Sequence, residues 1–415
     1  MTSTATGPAL KSSADWIAIE QATFMPNRRP PMVIERGQGS RVWDVEGHEY
    51  LDLIAGIAVV SLGHSSPVVQ RALAEQSARL IQISNLYYSI PQLELAQLLI
   101  DNSPFDKVYF CNSGAEANEA ALKLARKWGK RNRGGAYGII TAEHAFHGRT
   151  LATVTATGKE AYTRSFTPLP EGFKQVPLND MDALERAVDA TTAAVFLEPI
   201  QGESGVHIST QDYLRDVRDF CRDQGLLLML DEVQTGIGRL GTLFGFERWG
   251  IEPDIATLAK GLGGGVPIGA VLAKDPAAVF EPGDHGSTFG GNPLMCHVGY
   301  AVVSYILEND VLGNVNRVGG LLKQGLEKLS QTQPLIETVR GEGLLLAIDL
   351  RAERAPDVVR LGIEEGVLLN ATGPTTIRLA PPLTLTAAEA EEALDKISRC
   401  LSRLDAPEVT QPAAS

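Results

Sequence analysis

Leu214-Arg-Asp-Val217-Arg-Asp-Phe-Cys221-Arg-Asp-Gln-Gly225-Leu226-Leu-Leu-Met-Leu230-Asp231 changes its hydrophobic period partway along. Leu214, Val217 and Cys221 stand at i, i+3 and i+7, one face of a helix, and Gly225 stops it. Leu226–Leu230 is then apolar at every position, as in a strand buried on both faces of a parallel sheet. With the apolar run Ala193–Leu197 upstream, strand, helix and strand fit within forty residues. That is a βαβ unit, and it predicts an α/β fold around a mostly parallel central sheet. Similar short runs recur at Val108–Phe110, Tyr137–Ile140 and Ile255–Leu258.

The pattern differs on either side. The first thirty-odd residues read as irregular, ending in Pro26-Asn-Arg-Arg-Pro-Pro31, where prolines oppose a helix. Two alternating runs about Glu46-Gly47 predict a hairpin. Ser66-Pro67 opens a helix through about Leu80. Beyond residue 300 a helical stretch to about Leu329 precedes alternating segments at Leu344–Leu350, Val367–Leu369 and Ile377–Leu379. A last helix presents Leu394, Ile397, Leu401 and Leu404 on one face. This half predicts a smaller α+β domain. Ala406–Ser415, rich in Pro and Ala, reads as disordered.

The 415 residues carry 37 Lys plus Arg against 50 Asp plus Glu, a net charge of −13. Such a surplus favours solubility and opposes binding to a phosphate backbone, so nucleic acid is an unsuitable partner. Cys111, Cys221, Cys296 and Cys400 form no C-x-x-C pair and read as buried thiols of a reducing compartment. Met1–Pro8 lacks the apolar core of a secretory signal, and Leu51–Leu62 is too short to span a bilayer. A soluble cytoplasmic chain, with no membrane partner, is expected.

Three constellations carry chemistry. Asn112-Ser113-Gly114-Ala115-Glu116 follows the run Val108–Phe110 and opens a helix with capping-box spacing. A strand, a turn of small residues and a helix N-terminus make an anion site, although the same residues serve equally as a plain cap. Asp231 ends a fully apolar strand, where an ionised carboxylate needs a cation or hydrogen bonds, and where α/β sheets bind ligands. A structural ion pair is the other reading. Lys260 ends the run Ile255–Leu258 before Gly261-Leu-Gly-Gly-Gly265. Screened from water, such a lysine is a nucleophilic amine toward carbonyls; otherwise it is a solvated edge residue. The glycines fail G-x-G-x-x-G at Val266, and Gly129-Lys130 and Gly158-Lys159 open no P-loop. Taken together, phosphate cradle, buried Asp and strand-end Lys are the parts that pyridoxal phosphate requires.

At this point the chain resembles a known family. Asn112–Glu116, His144-Ala-Phe146-His-Gly-Arg149-Thr150, Glu198-Pro-Ile-Gln-Gly-Glu203, Asp231-Glu-Val-Gln234, Leu258-Ala-Lys260-Gly and His285-Gly-Ser-Thr288-Phe-Gly-Gly-Asn-Pro293 resemble, in order, the motifs of the class III aminotransferases of pyridoxal-phosphate fold type I. The resemblance runs from about Phe24 to Leu404. It implies Lys260 as the Schiff-base lysine and proton carrier, with Asp231 on the pyridine nitrogen. Gln234 lies near the ring hydroxyl and Phe146 on the ring, with Glu232 and Val233 in the same strand-end motif. Ser113, Gly114 and Ala115 hold the phosphate, with Thr288 arriving from a neighbouring subunit. It further implies a homodimer with shared active sites, possibly assembling further, and three segments: 1–61 and 299–415 forming the small domain, 62–298 the large cofactor-binding one.

A transaminase accepts two partners in one site, an ω-amine donor and 2-oxoglutarate, whose carboxylates lie at different distances from the reacting carbon. Arg149 and Arg378 are candidates for holding them, with Glu203 covering Arg378 while the donor is bound. Each also suits a structural ion pair. Asn27-Arg28, Arg149, Ser287 and the rest of His285–Pro293 resemble the branch acting on N2-acetylornithine in arginine biosynthesis. Ornithine-specific members carry a tyrosine near Asn27. Ornithine, succinylornithine, 4-aminobutyrate and lysine-pathway donors stay open, as do a non-transaminating enzyme on this fold and a non-catalytic phosphate-binding module. The seven histidines include no H-E-x-x-H, so no metal is expected. His147 reads as local packing beside Phe146, and the basic run Lys123–Arg133 as a solvated helix end.

Overall fold

The helix read from Leu214, Val217 and Cys221 spans Gln211–Gln224 and ends at Gly225 in the left-handed region (φ 62°); the three side chains are fully buried. The computed structural model describes residues 11–405. That helix feeds the centre of a seven-stranded sheet. In chain order its strands are β1 (Lys107–Cys111), β2 (Gly138–Ala142), β3 (Phe173–Val176), β4 (Thr192–Leu197), β5 (Leu227–Asp231), β6 (Ile255–Leu258) and β7 (Gly269–Ala273). Across the sheet the order is β1-β7-β6-β5-β4-β2-β3. β5 lies parallel to both neighbours, Leu228 opposite Val195 and Leu230 opposite Ala256. Only β7 runs against the rest, between β6 and β1. The α/β expectation holds, and the carboxyl ends of the other six strands share one edge.

The helix Gly114–Asn132 packs on this sheet through Ala117, Ala120, Ala121, Leu124 and Ala125. Its small face brings it close: a Cβ on Gly129 would stand 2.2 Å from the Ala136 carbonyl oxygen. Each fully buried Leu of the sheet contributes roughly 1.5–3 kcal/mol of apolar burial.

Arg41–Asp44 and Glu49–Asp52 form the expected hairpin, and Glu49–Asp52 also pairs in parallel with Val367–Leu368. Both ends of the chain therefore meet in one four-stranded sheet. A second sheet joins Ile336–Glu342, Leu345–Leu350, Thr376–Leu379 and Asn370–Ala371.

Several readings need correction. Ser13–Thr23 is a helix, not an irregular segment, started by a reciprocal capping box between Ser12 and Asp15. It buries only Ser13, so it shows no apolar stripe. The helix opened by Pro67 stops at Ser77, and the stretch after 293 is two helices, Pro293–Glu308 and Val311–Ser330. The basic run is not merely solvated: Lys127 pairs with Glu281 and Asp284, and Arg131 with Glu281. The expected disorder of Ala406–Ser415 concerns residues outside those described.

Candidate active site

The strand ends surround a cavity of about 500 Å³. At its rim Ser113 caps the Gly114–Asn132 helix, its Oγ accepting the Glu116 N–H at 3.1 Å. The first-turn amides of a helix have no partner within it, so those of Gly114 and Ala115 are available to an anion. Gly114 has to be glycine, because a Cβ would stand 2.8 Å from Val233 Cγ1. The His147–Thr150 turn closes against this helix through Gly148 (φ 135°), where a Cβ would lie 2.9 Å from Ala115 Cβ.

Asp231 leaves the end of β5 buried and fully engaged. Its Oδ2 accepts from Asn118 Nδ2 at 2.7 Å and lies 2.8 Å from His147 Nδ1, while Oδ1 accepts the Val233 N–H at 3.0 Å. An ionised carboxylate only accepts, so Nδ1 carries the proton. The His147 ring also stacks on Phe196, centroids 4.2 Å apart. Packing was thus half its role: it is a buried donor to Asp231, and this corrects the sequence reading. Next to Asp231 stands Glu198, which accepts the Phe146 N–H at 2.9 Å. Burial, then the Asp231 charge, hold its carboxyl well above the usual range.

Lys260 follows β6 with φ 39°, a backbone conformation unusual for a lysine. Its side chain opens a fifth of its surface to the cavity while protein surrounds the amine, and burial lowers its pKa against the opposing pull of Glu203. Glu203 Oε1 is 3.7 Å from Lys260 Nζ, 2.8 Å from Arg378 Nη1 and 3.0 Å from Gln234 Nε2. Burial would raise the Glu203 pKa, but Arg378 and Lys260 outweigh it and the net direction is down. Arg378 is buried and spends its donors on Glu203, on the Gly202 carbonyl and on Asn370. Arg149 lines the cavity with its guanidinium 3.6 Å above the Tyr162 ring.

Ser113, Gly114, Ala115, Phe146, Arg149, Glu203, Asp231, Val233, Gln234 and Lys260 therefore line one cavity. Glu232 does not. Its carboxylate turns away to accept the Gly245 and Phe246 N–H groups at 2.5 and 2.7 Å, and burial pushes it up to about 8. Ser287 Oγ accepts from Asn112 beside the cradle, whereas Thr288 lies outside the cavity with its carbonyl bonded to Gln82. Asn27 is exposed and, among the described residues, accepts only its neighbour's N–H. Asn118, Tyr162 and Asn370 are the residues that sequence reasoning left without a role, and His147 it read only as packing. Among the described residues no three His, Cys, Asp or Glu side chains converge as a metal site would.

A family model described as Aminotransferase class-III matches residues 24–401. Acetylornithine aminotransferase from Caldanaerobacter subterraneus subsp. tengcongensis is 49% identical over 377 residues, which is 91% of this chain and 96% of that protein. The solved ornithine aminotransferase from Toxoplasma gondii superposes with a TM-score of 0.92 at 34% identity, covering 96% of each chain. The acetylornithine aminotransferase from Elizabethkingia anophelis superposes with a TM-score of 0.85 at 36% identity, covering 95% of this chain and all of that one.

Proposed function

We propose, for a chain that belongs to the class III aminotransferases and is a pyridoxal-phosphate-dependent transaminase of fold type I, that its donor is N2-acetylornithine. The ω-amino group passes to 2-oxoglutarate, giving the semialdehyde and glutamate, within arginine biosynthesis. Near-half identity to an acetylornithine enzyme supports this donor over ornithine, because the higher TM-score of the Toxoplasma structure reports backbone shape and not the lining of the site. One observation carries the reading: Glu203, which lines the cavity with Arg149, covers buried Arg378 at 2.8 Å, and among the described residues the donors of Arg149 are unspent. That is the arrangement a two-carboxylate, two-substrate site needs.

The residues suit pyridoxal phosphate. The helix amides behind Gly114 would hold its phosphate, the buried Asp231 carboxylate fixed by three donors would pair with its ring nitrogen, and the buried Lys260 amine would carry it. When bound, the cofactor supplies an electron sink for the charge left on the substrate carbon. Lys260 would hold the cofactor and move the proton at Nζ; its lowered pKa leaves more of the amine free to accept near neutral pH. Asn118 and His147 keep Asp231 oriented. With the ω-amine donor bound, Glu203 neutralises Arg378 beside an uncharged methylene chain, and Arg149 takes the distant carboxylate. When 2-oxoglutarate arrives, its near carboxylate displaces Glu203 from Arg378 and its far one turns to Arg149.

A panel of N2-acetylornithine, succinylornithine, ornithine and 4-aminobutyrate, each with 2-oxoglutarate, tests the reading. N2-acetylornithine should give the highest kcat/KM. Preference for a free ornithine would overturn the donor, and turnover independent of 2-oxoglutarate would overturn transamination.

We further propose a cytoplasmic homodimer that shares its sites. Leu86, Tyr87, Tyr88, Ile90 and Phe289 form an exposed apolar surface, and Gln82 ties Thr288 to it. Four buried free thiols support a reducing compartment, and no helix among the described residues is long and apolar enough to cross a membrane. Pairing of Glu49–Asp52 with Val367–Leu368 supports the division into 1–61 plus 299–415 against 62–298, with its second boundary inside the Pro293–Glu308 helix.

A further inference from the structure

The two candidate arginines are held in opposite ways. Arg378 is tied by hydrogen bonds to Glu203, Gly202 and Asn370. Among the described residues the guanidinium of Arg149 makes no hydrogen bond and no ion pair. Aromatic faces are what it meets: Tyr162 at 3.6 Å and, more distantly, Phe146 at 5.7 Å. A guanidinium held by its face keeps all five N–H donors in its plane free for a carboxylate.

The backbone explains how Tyr162 comes to lie there. Arg149 precedes the helix Leu151–Thr157 and Tyr162 follows it, in the short helix Glu160–Thr163. Gly158 (φ 70°) turns the chain back between them, and it packs so tightly that a Cβ would stand 2.6 Å from Gln175 Cγ on β3. Lys159 fixes the other side of the turn, its Nζ donating to Ser204 Oγ at 2.7 Å. The ring is therefore anchored from the sheet and from the loop that carries Glu203.

We propose that Tyr162 is a positioning residue that sets the site's specificity for a distant carboxylate, its ring face holding Arg149 in the cavity without spending any of its donors. This rests on the transaminase reading above and deepens it. Tyr162 touches no reacting atom. Its aromatic face matters and its hydroxyl does not.

Glutarate, an unreactive dicarboxylate, separates the proposal from turnover. Its binding to the holoenzyme is measured by calorimetry for wild type, Tyr162→Phe, Tyr162→Leu, Arg149→Leu and the double variant Tyr162→Leu/Arg149→Leu, with cofactor loading followed by absorbance. Tyr162→Phe should bind glutarate within about twofold of wild type. Tyr162→Leu should weaken it roughly 3- to 30-fold, the range of a partly desolvated cation–π contact. The same variant should raise KM for the donor and leave kcat within about twofold. Once Arg149 is leucine, adding Tyr162→Leu should change glutarate binding no further. An additive double variant, equal losses in Tyr162→Phe and Tyr162→Leu, or unchanged binding in Tyr162→Leu would each overturn the proposal. A wild type that ignores N2-acetylornithine yet shows the glutarate pattern would overturn the donor assignment alone.

Discussion

Asp231 is a buried carboxylate whose three hydrogen-bond partners are all donors, and this makes its substitutions informative. Asp231→Asn keeps the shape but cannot hold a ring nitrogen protonated. Cofactor binding should persist while kcat falls on the order of 100-fold or more; near-normal kcat would refute the role. His147→Phe preserves the stack on Phe196 and removes one donor, which should cost about 1–3 kcal/mol in chemical denaturation and lower kcat as well. Glu203→Ala leaves Arg378 open, so single-turnover spectroscopy should show the glutamate half-reaction retained and discrimination in favour of the ω-amine weakened. Arg378→Ala should harm the glutamate side most. Equal slowing of both half-reactions in both variants would reduce Glu203 to a structural partner. The sequence made Asp231, Lys260 and the Ser113–Ala115 turn legible because each breaks an apolar run at a strand end. It singled out Asp231 but could not tell that Glu232, grouped with it, turns away, since consecutive residues leave a strand toward opposite sides and only the packing decides which meets the cavity. Asn118 and Asn370 left no trace, and His147 showed only as packing, because a polar contact between distant segments has no period.

At the scale of elements, the segment after β5 is held by Glu232, which ties the strand end to the turn Gly245–Trp249. Its carboxyl is pushed up to about 8 from 4.5 by burial. Between those values the folded chain binds more protons than the unfolded one, so this group's stabilisation is complete below about pH 4.5 and is lost as pH rises through about 8. Wild-type stability should therefore decline across that window by up to about 1.4 kcal/mol per pH unit from this residue. Glu232→Gln should flatten the decline in urea titrations, and an unchanged slope would contradict it. β2, β4, β5 and β6 were legible as apolar runs. β3, Phe-Lys-Gln-Val at the sheet edge, was too short and polar to stand out. β7, Gly-Ala-Val-Leu-Ala, lay in the shadow of the glycine-rich stretch before it. The Ser13–Thr23 helix was hidden because its stability comes from the Ser12–Asp15 cap and from Ser13 bonding Glu46, neither of which creates a stripe.

For the whole molecule the decisive feature is the apolar surface at Leu86–Leu93 and Phe289. Tyr88 exposes 92% of its area and Leu86 80%, a costly concentration of exposed apolar side chains in one short segment. A second copy covering this surface would remove that cost, and Thr288 lies at its edge and outside the chain's own cavity. If the partner's cavity receives Thr288, association and cofactor retention are linked, because the bound cofactor favours the paired state by mass action. Leu86→Asp with Tyr88→Asp should then halve the mass seen by light scattering. The same variant should also lose cofactor on dilution, although neither substitution lies in the cavity. Thr288→Ala should leave the mass unchanged and weaken cofactor binding by roughly 10- to 150-fold, the worth of one hydrogen bond to a charged group. A wild type that scatters as one chain at full turnover would sink the shared site. A monomeric double variant that holds cofactor as tightly as wild type would keep the dimer and remove Thr288 from the phosphate.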